Sequence, residues 1–182
     1  MLFHPYYKTH HNSKIPVMIK VTYNGNNPEL TEAVAKANGL LGNEQFFADI
    51  RNHSSFDMAN TSPATIAGLI ASSDLAMKVE TYYSRHRRVF GFDDPAHPEI
   101  VHINSNRNEW TVGGLTNTII HETIHAVDDK SADYSFGHGD NSSVGKQNTA
   151  PYWIGNHAEE IVNGAGAQVT AMIHEGSPES FA

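Results

Sequence analysis

The chain contains no cysteine, and that single absence removes disulfides, thiolate metal sites and cysteine nucleophiles together. Any metal must then be held by His, Asp and Glu. Positive charge is scarce as well: 12 Lys and Arg stand against 20 Asp and Glu, a formal charge of −8. Phosphate backbones need a basic footprint, so nucleic acid is not expected as a partner. The cluster Arg85-His86-Arg87-Arg88 reads as a solvated loop. No apolar run is long enough to span a bilayer, and Met1–Lys8 lacks the apolar core of a signal peptide. The expectation is a soluble protein that, if exported, leaves by a route this segment does not reveal, or one domain of a longer chain. No internal repeat is visible.

What is present suits one domain over residues 1–182, large enough to bury a core without staples, with the His-rich residues 1–14 as a flexible arm. Alternation of Ile15, Val17, Ile19 and Val21 predicts a strand from Ile15 to Tyr23. Pro28 opens a helix that Asn38-Gly39 is expected to end, and a short helix is predicted over Glu44–Arg51. Ser62 before Pro63 caps a helix to about Ala71. Leu75–Tyr83 reads as a second strand with Met77, Val79, Thr81 and Tyr83 on one face, and Ser84–Pro98 as a loop. Glu99–Asn104 is a short β-type run, read either as an edge strand whose free N–H and C=O groups would take an extended peptide or as an ordinary internal strand. Asp129–Pro151 is a long polar loop, and a helix capped by Asn156 is predicted from His157 to about His174.

The chemistry gathers in Thr118-Ile119-Ile120-His121-Glu122-Thr123-Ile124-His125-Ala126-Val127, within a predicted helix of Leu115–Asp128. Residues four apart project from one helical face, so His121 and His125 reach one ion together. Zinc accepts imidazole nitrogen at about 2.0–2.1 Å, and two such ligands fill half of its tetrahedron. Glu122 sits one residue round, placed to take the proton of an attacking water as general base.

A catalytic site needs a third protein ligand and one open position. Asp128 points away from an ion between the two histidines and suits a helix-end carboxylate or a supporting one that holds an imidazole N–H. His138 competes, because the flexible loop can deliver it. Glu159 and Glu160 lie on the next helix, where Glu160, Gly164, Ala167 and Ala171 share one face. That small-residue face would bring the two helices close and carry the Glu160 carboxylate to the ion, leaving Glu159 to complete a cap.

His121-Glu122-Thr123-Ile124-His125-Ala126, followed by Glu159-Glu160-Ile161-Val162-Asn163-Gly164-Ala165-Gly166, resembles the zinc-protease core of the clostridial neurotoxin light chains. It is also similar to a family of secreted bacterial effector zinc proteases. The likeness covers roughly residues 99 to 166. It implies one Zn2+ per chain held by His121, His125 and Glu160, with Glu122 as base. It also implies an α+β, zincin-like fold: a small mixed sheet whose edge strand, here Ile100, Val101, His102 and Ile103, holds substrate over two packed helices. The neurotoxin proteases carry an Arg and a Tyr beyond the second motif that steady the oxyanion. No counterpart follows in order here, so the donor is sought among Tyr134, His138, Tyr152 and His157.

The leading expectation is a zinc-dependent endopeptidase acting on a protein or peptide, an exported toxin or effector. Two others stand beside it: an amidase or peptidase of peptidoglycan stem peptides, and a non-catalytic zinc module closed by a fourth ligand such as His138.

Overall fold

The computed structural model describes residues 18–85, 91–94, 96–106, 111–139 and 144–164, with backbone alone for 91–94. Several expected features lie outside them: the arm of residues 1–14, Ile15 and Val17, residues 86–88 of the basic cluster, and Ala165–His174 with Ala167 and Ala171.

Strand β1 (Lys20–Tyr23) is followed by helix α1 (Pro28–Leu41). Pro28 stands in the first turn, where its missing N–H costs nothing, and the Asn27 side chain accepts the Leu30 N–H at 2.9 Å. The helix runs straight through Asn38-Gly39, where a stop was expected. The Asn38 amide is the reason. It accepts the Val21 N–H and donates to the Val21 carbonyl, both at 2.9 Å, pairing with β1 as a neighbouring strand would. Asn and Gly each cost up to about 1 kcal/mol inside a helix, which two such bonds offset.

Helix α2 (Glu44–Asn52) is capped by Asn43 and α3 (Pro63–Ser72) by Ser62, whose hydroxyl accepts the Thr65 N–H at 3.1 Å. Strand β2 (Ala76–Tyr82) then pairs parallel to β1. Strand β3 (Gly91–Asp94) arises inside the stretch read as a loop, and pairs antiparallel with β4 (His97–Asn104). The spatial order is β1-β2-β4-β3, three parallel strands and one antiparallel. The small mixed sheet is as expected, but its margin is not. Ile100, Val101, His102 and Ile103 belong to β4, which lies between β2 and β3 as an internal strand, so the edges are β1 and β3. Asp and Gly are poor strand formers, which hid β3, yet Asp94 precedes a proline and is biased to extended backbone.

Register places Val79 beside Val101 and Thr81 beside Ile103. Met77, Val79, Val101 and Ile103 are buried, while Tyr83, read as part of that stripe, is 70% exposed. Helix α4 (Val112–Asp129) packs on β3, β4, α1 and α5 (Ala150–Asn163). It is buried on every side from Gly113 to Ile124. Ile119, Ile120 and Ile124 have no exposure, and each contributes about 1.5–3 kcal/mol by leaving water. The threonines on this helix satisfy themselves: Thr118 and Thr123 donate to the carbonyls four residues back, at 3.1 and 2.7 Å. Among the described residues no helix is long and apolar enough to cross a membrane.

Candidate metal centre

His121 and His125 stand one turn apart on α4, whose helical pitch and burial on every side from Gly113 to Ile124 fix their spacing. Their Nε2 atoms are 3.2 Å apart. The third nitrogen comes from His138 in the loop after α4, its Nε2 lying 3.2 Å from that of His121 and 2.9 Å from that of His125. Among the described residues this is the group of His, Asp and Glu side chains arranged to hold an ion. Tetrahedral zinc at about 2.0–2.1 Å from each nitrogen sets its ligands about 3.3–3.4 Å apart, close to the triangle seen. The donor chemistry fits as well. An imidazole nitrogen offers either one N–H or one in-plane lone pair, so three aimed at one point cannot all pair with each other. A cation accepts three lone pairs at once.

Glu122 is buried beside the first histidine, 2% exposed. It lies one residue round the helix from His121, as the motif requires.

The carboxylate thought to complete the site is elsewhere. Helix α5 begins at Ala150, seven residues before the expected start, because Pro151 sits in its first turn, where proline is tolerated. The face turned to α4 is Tyr152, Gly155 and Ala158-Glu159, all buried. Glu160 lies about 100° further round. Its side chain is 56% exposed and 3.8 Å from Nδ1 of His157. Glu159, expected at a cap, is instead wholly buried and accepts the Asn117 Nδ2 at 2.8 Å. Close approach of the two helices holds, with other residues: a Cβ on Gly155 would lie 2.3 Å from Asn117 Oδ1, and one on Gly113 2.2 Å from Asn163 Oδ1.

Of the four oxyanion candidates, only Tyr152 and His138 reach the centre. The Tyr152 ring stands edge-on to His121 at 4.6 Å between centroids and tilted against His138 at 4.9 Å. His138 supplies the third nitrogen. Tyr134 is exposed in the loop. His157 is stacked between Phe46 and Trp153, with its Nε2 3.0 Å from Asp49 Oδ2. That side-chain contact, after the one from Gln45, holds the Asp49 carboxyl below its ordinary range.

Asp128, read as a helix-end or supporting carboxylate, stands in the last turn of α4 and bonds to backbone N–H groups of the loop. Its Oδ1 accepts the Phe136 N–H at 2.7 Å and its Oδ2 the Gly137 N–H at 2.9 Å. Burial pushes this carboxyl up, and the two backbone bonds pull it down. Burial also raises Asp129, helped by the charge of Asp128.

Tyr82 was missed. It lies at the end of β2 on the face opposite Val79, where alternation assigns solvent. Its hydroxyl titrates at about 12, raised by burial and then by the negative Glu122. The ring is edge-on to His102, centroids 6.5 Å apart. The alternation that exposed the apolar face of β2 gave no reason to look at the other.

No family model, no curated protein and no solved structure matches the chain.

Proposed function

We propose that the protein is a zinc-dependent endopeptidase of the zincin kind, with one Zn2+ held by His121, His125 and His138. The observation that carries this reading is the triangle of three Nε2 atoms, 2.9–3.2 Å on a side, with a buried glutamate next to its first member. Three protein ligands, the number found among the described residues, is the number used by catalytic rather than closed zinc sites. The resemblance to effector zinc proteases points the same way, although the third ligand here is imidazole in place of carboxylate. A toxin or effector role rests on that resemblance alone.

When bound, the ion supplies Lewis acidity, polarising a carbonyl and acidifying water. Glu122 accepts a proton from the attacking water and returns it to the departing amine. Its burial keeps bulk water from competing for that proton. Tyr152, packed on His121 and His138, keeps two of the imidazoles in the plane they need. Substrate in extended form would add to the sheet beside β3, main chain to main chain, while its side chains alternate between faces.

Zinc-loaded protein should cleave an unfolded protein substrate, and Glu122→Gln should keep the metal while hydrolysis disappears. Full activity in that variant would end the reading. Intact sacculi in a parallel incubation give stem-peptide products only if the substrate is the cell wall.

A further inference from the structure

We propose that Asp128 is the positioning residue that delivers His138, so that a carboxylate which never touches the metal sets how tightly the metal is held. The inference rests on the three-histidine site but not on the peptidase reading.

His121 and His125 come ready-made on a rigid helix, whereas His138 lies beyond the end of that helix. A loop residue left to itself spends most of its time elsewhere, and ordering it costs conformational entropy. The structure removes much of that cost in advance. Asp128, in the last turn of α4, grips the loop through both carboxylate oxygens, on the N–H groups of Phe136 and Gly137. These are the two residues that lead directly into His138. Phe136, wholly buried, anchors the same point from the core. From the other side Asn60 donates its backbone N–H to Ser135 O and accepts the Ser135 N–H on Oδ1, both at 2.9 Å. The grip also explains why residue 137 is glycine. A Cβ there would lie 2.9 Å from Asp128 Oδ2 and 3.6 Å from Nδ1 of His125.

A carboxylate fits this place and an amide does not. Two N–H donors arriving on two oxygens need an acceptor at both, and the Nδ2 of an asparagine would face one N–H with another. Groups that orient metal ligands without binding the ion are worth about 10–100-fold in affinity.

The test titrates the full chain with Zn2+ against a chromophoric chelator, and with Co2+, whose visible spectrum reports coordination number. Asp128→Asn should weaken both metals about 10–100-fold and move the Co2+ spectrum away from the four-coordinate form. In a His138→Ala background the same substitution should cost less than about twofold, because the ligand it acts through is gone. Asp129→Asn, an equal change of charge at the next residue, should leave affinity unaltered. If Asp128→Asn does not fold, Gly137→Ala presses on the same contact and should reproduce its pattern. Wild-type affinity in a folded Asp128→Asn or Gly137→Ala overturns the proposal, and so does a penalty that survives intact in the His138→Ala background. Failure of the wild-type chain to bind either metal would overturn the three-histidine site itself and this inference with it.

Discussion

Helix α4 and the loop that follows it each contribute to the same ion site, by opposite means. The helix presents His121 and His125 through nothing more than its own pitch, and its burial on every side makes their spacing insensitive to what happens nearby. The loop presents His138 through a set of particular bonds, from Asp128, from Asn60 and from the buried Phe136. One half of the site is geometry that comes free with a helix; the other half is assembled. The lesson is that, on the proposal made above, the affinity of the centre would be set on the assembled side, where there is something to lose.

Removing ligands sharpens the contrast most. His138→Ala and His125→Ala should each lower zinc affinity by more than about 100-fold by competition titration, since even supporting residues are worth about 10–100-fold. Glu160→Gln should change it by less than about twofold, and a large loss there would return the site to a carboxylate on α5. Glu122→Gln comes next: metal content unchanged, and peptide hydrolysis down by about 100-fold or more, as expected for a lost general base. The rigid half can be attacked at its support. Gly155→Ala sets a Cβ 2.3 Å from Asn117 Oδ1 and 3.2 Å from the Asn117 carbonyl. The overpacking should cost about 1–3 kcal/mol in denaturant unfolding, and the penalty should appear with or without metal.

The smallest effect concerns Tyr82. Its phenol is held neutral up to about 12 in the folded protein, against 10.0 when free of such surroundings. The unfolded chain therefore loses this proton first as the solution becomes alkaline. Stability from the group is complete below pH 10 and falls away as the pH rises to about 12. Relative to wild type, Tyr82→Phe should show a flatter decline in unfolding free energy across that window. Identical slopes for the two proteins would show that the phenol titrates alike in both states.

How far the sequence reveals this follows the same division. His121, Glu122 and His125 are legible because helical spacing is a local rule that needs no knowledge of the rest of the fold. The sheet is legible where alternation is clear, in Met77 and Val79 and again in Val101 and Ile103. His138 stays one candidate among several, because the path of its loop depends on hydrogen bonds from Asp128 and Asn60 that no periodicity announces. Glu160 misleads for a specific reason. Taking Pro151 as loop makes Asn156 the cap and spends Glu159 on it, which leaves Glu160 for the ion; with α5 beginning at Ala150 neither glutamate is near its start. Strand β3 hides behind residue types that avoid strands, and Tyr82 behind a face that alternation gives to water.

The amide of Asn38, lying along Val21, has a consequence for how this molecule meets its surroundings. Strand β1 is only four residues long, so one side chain is enough to occupy the middle of its outward backbone. A foreign segment drifting to that flank finds the mooring already taken, and self-association by sheet extension is discouraged there. Any strand addition is thereby directed to the opposite flank, where β3 packs against α4.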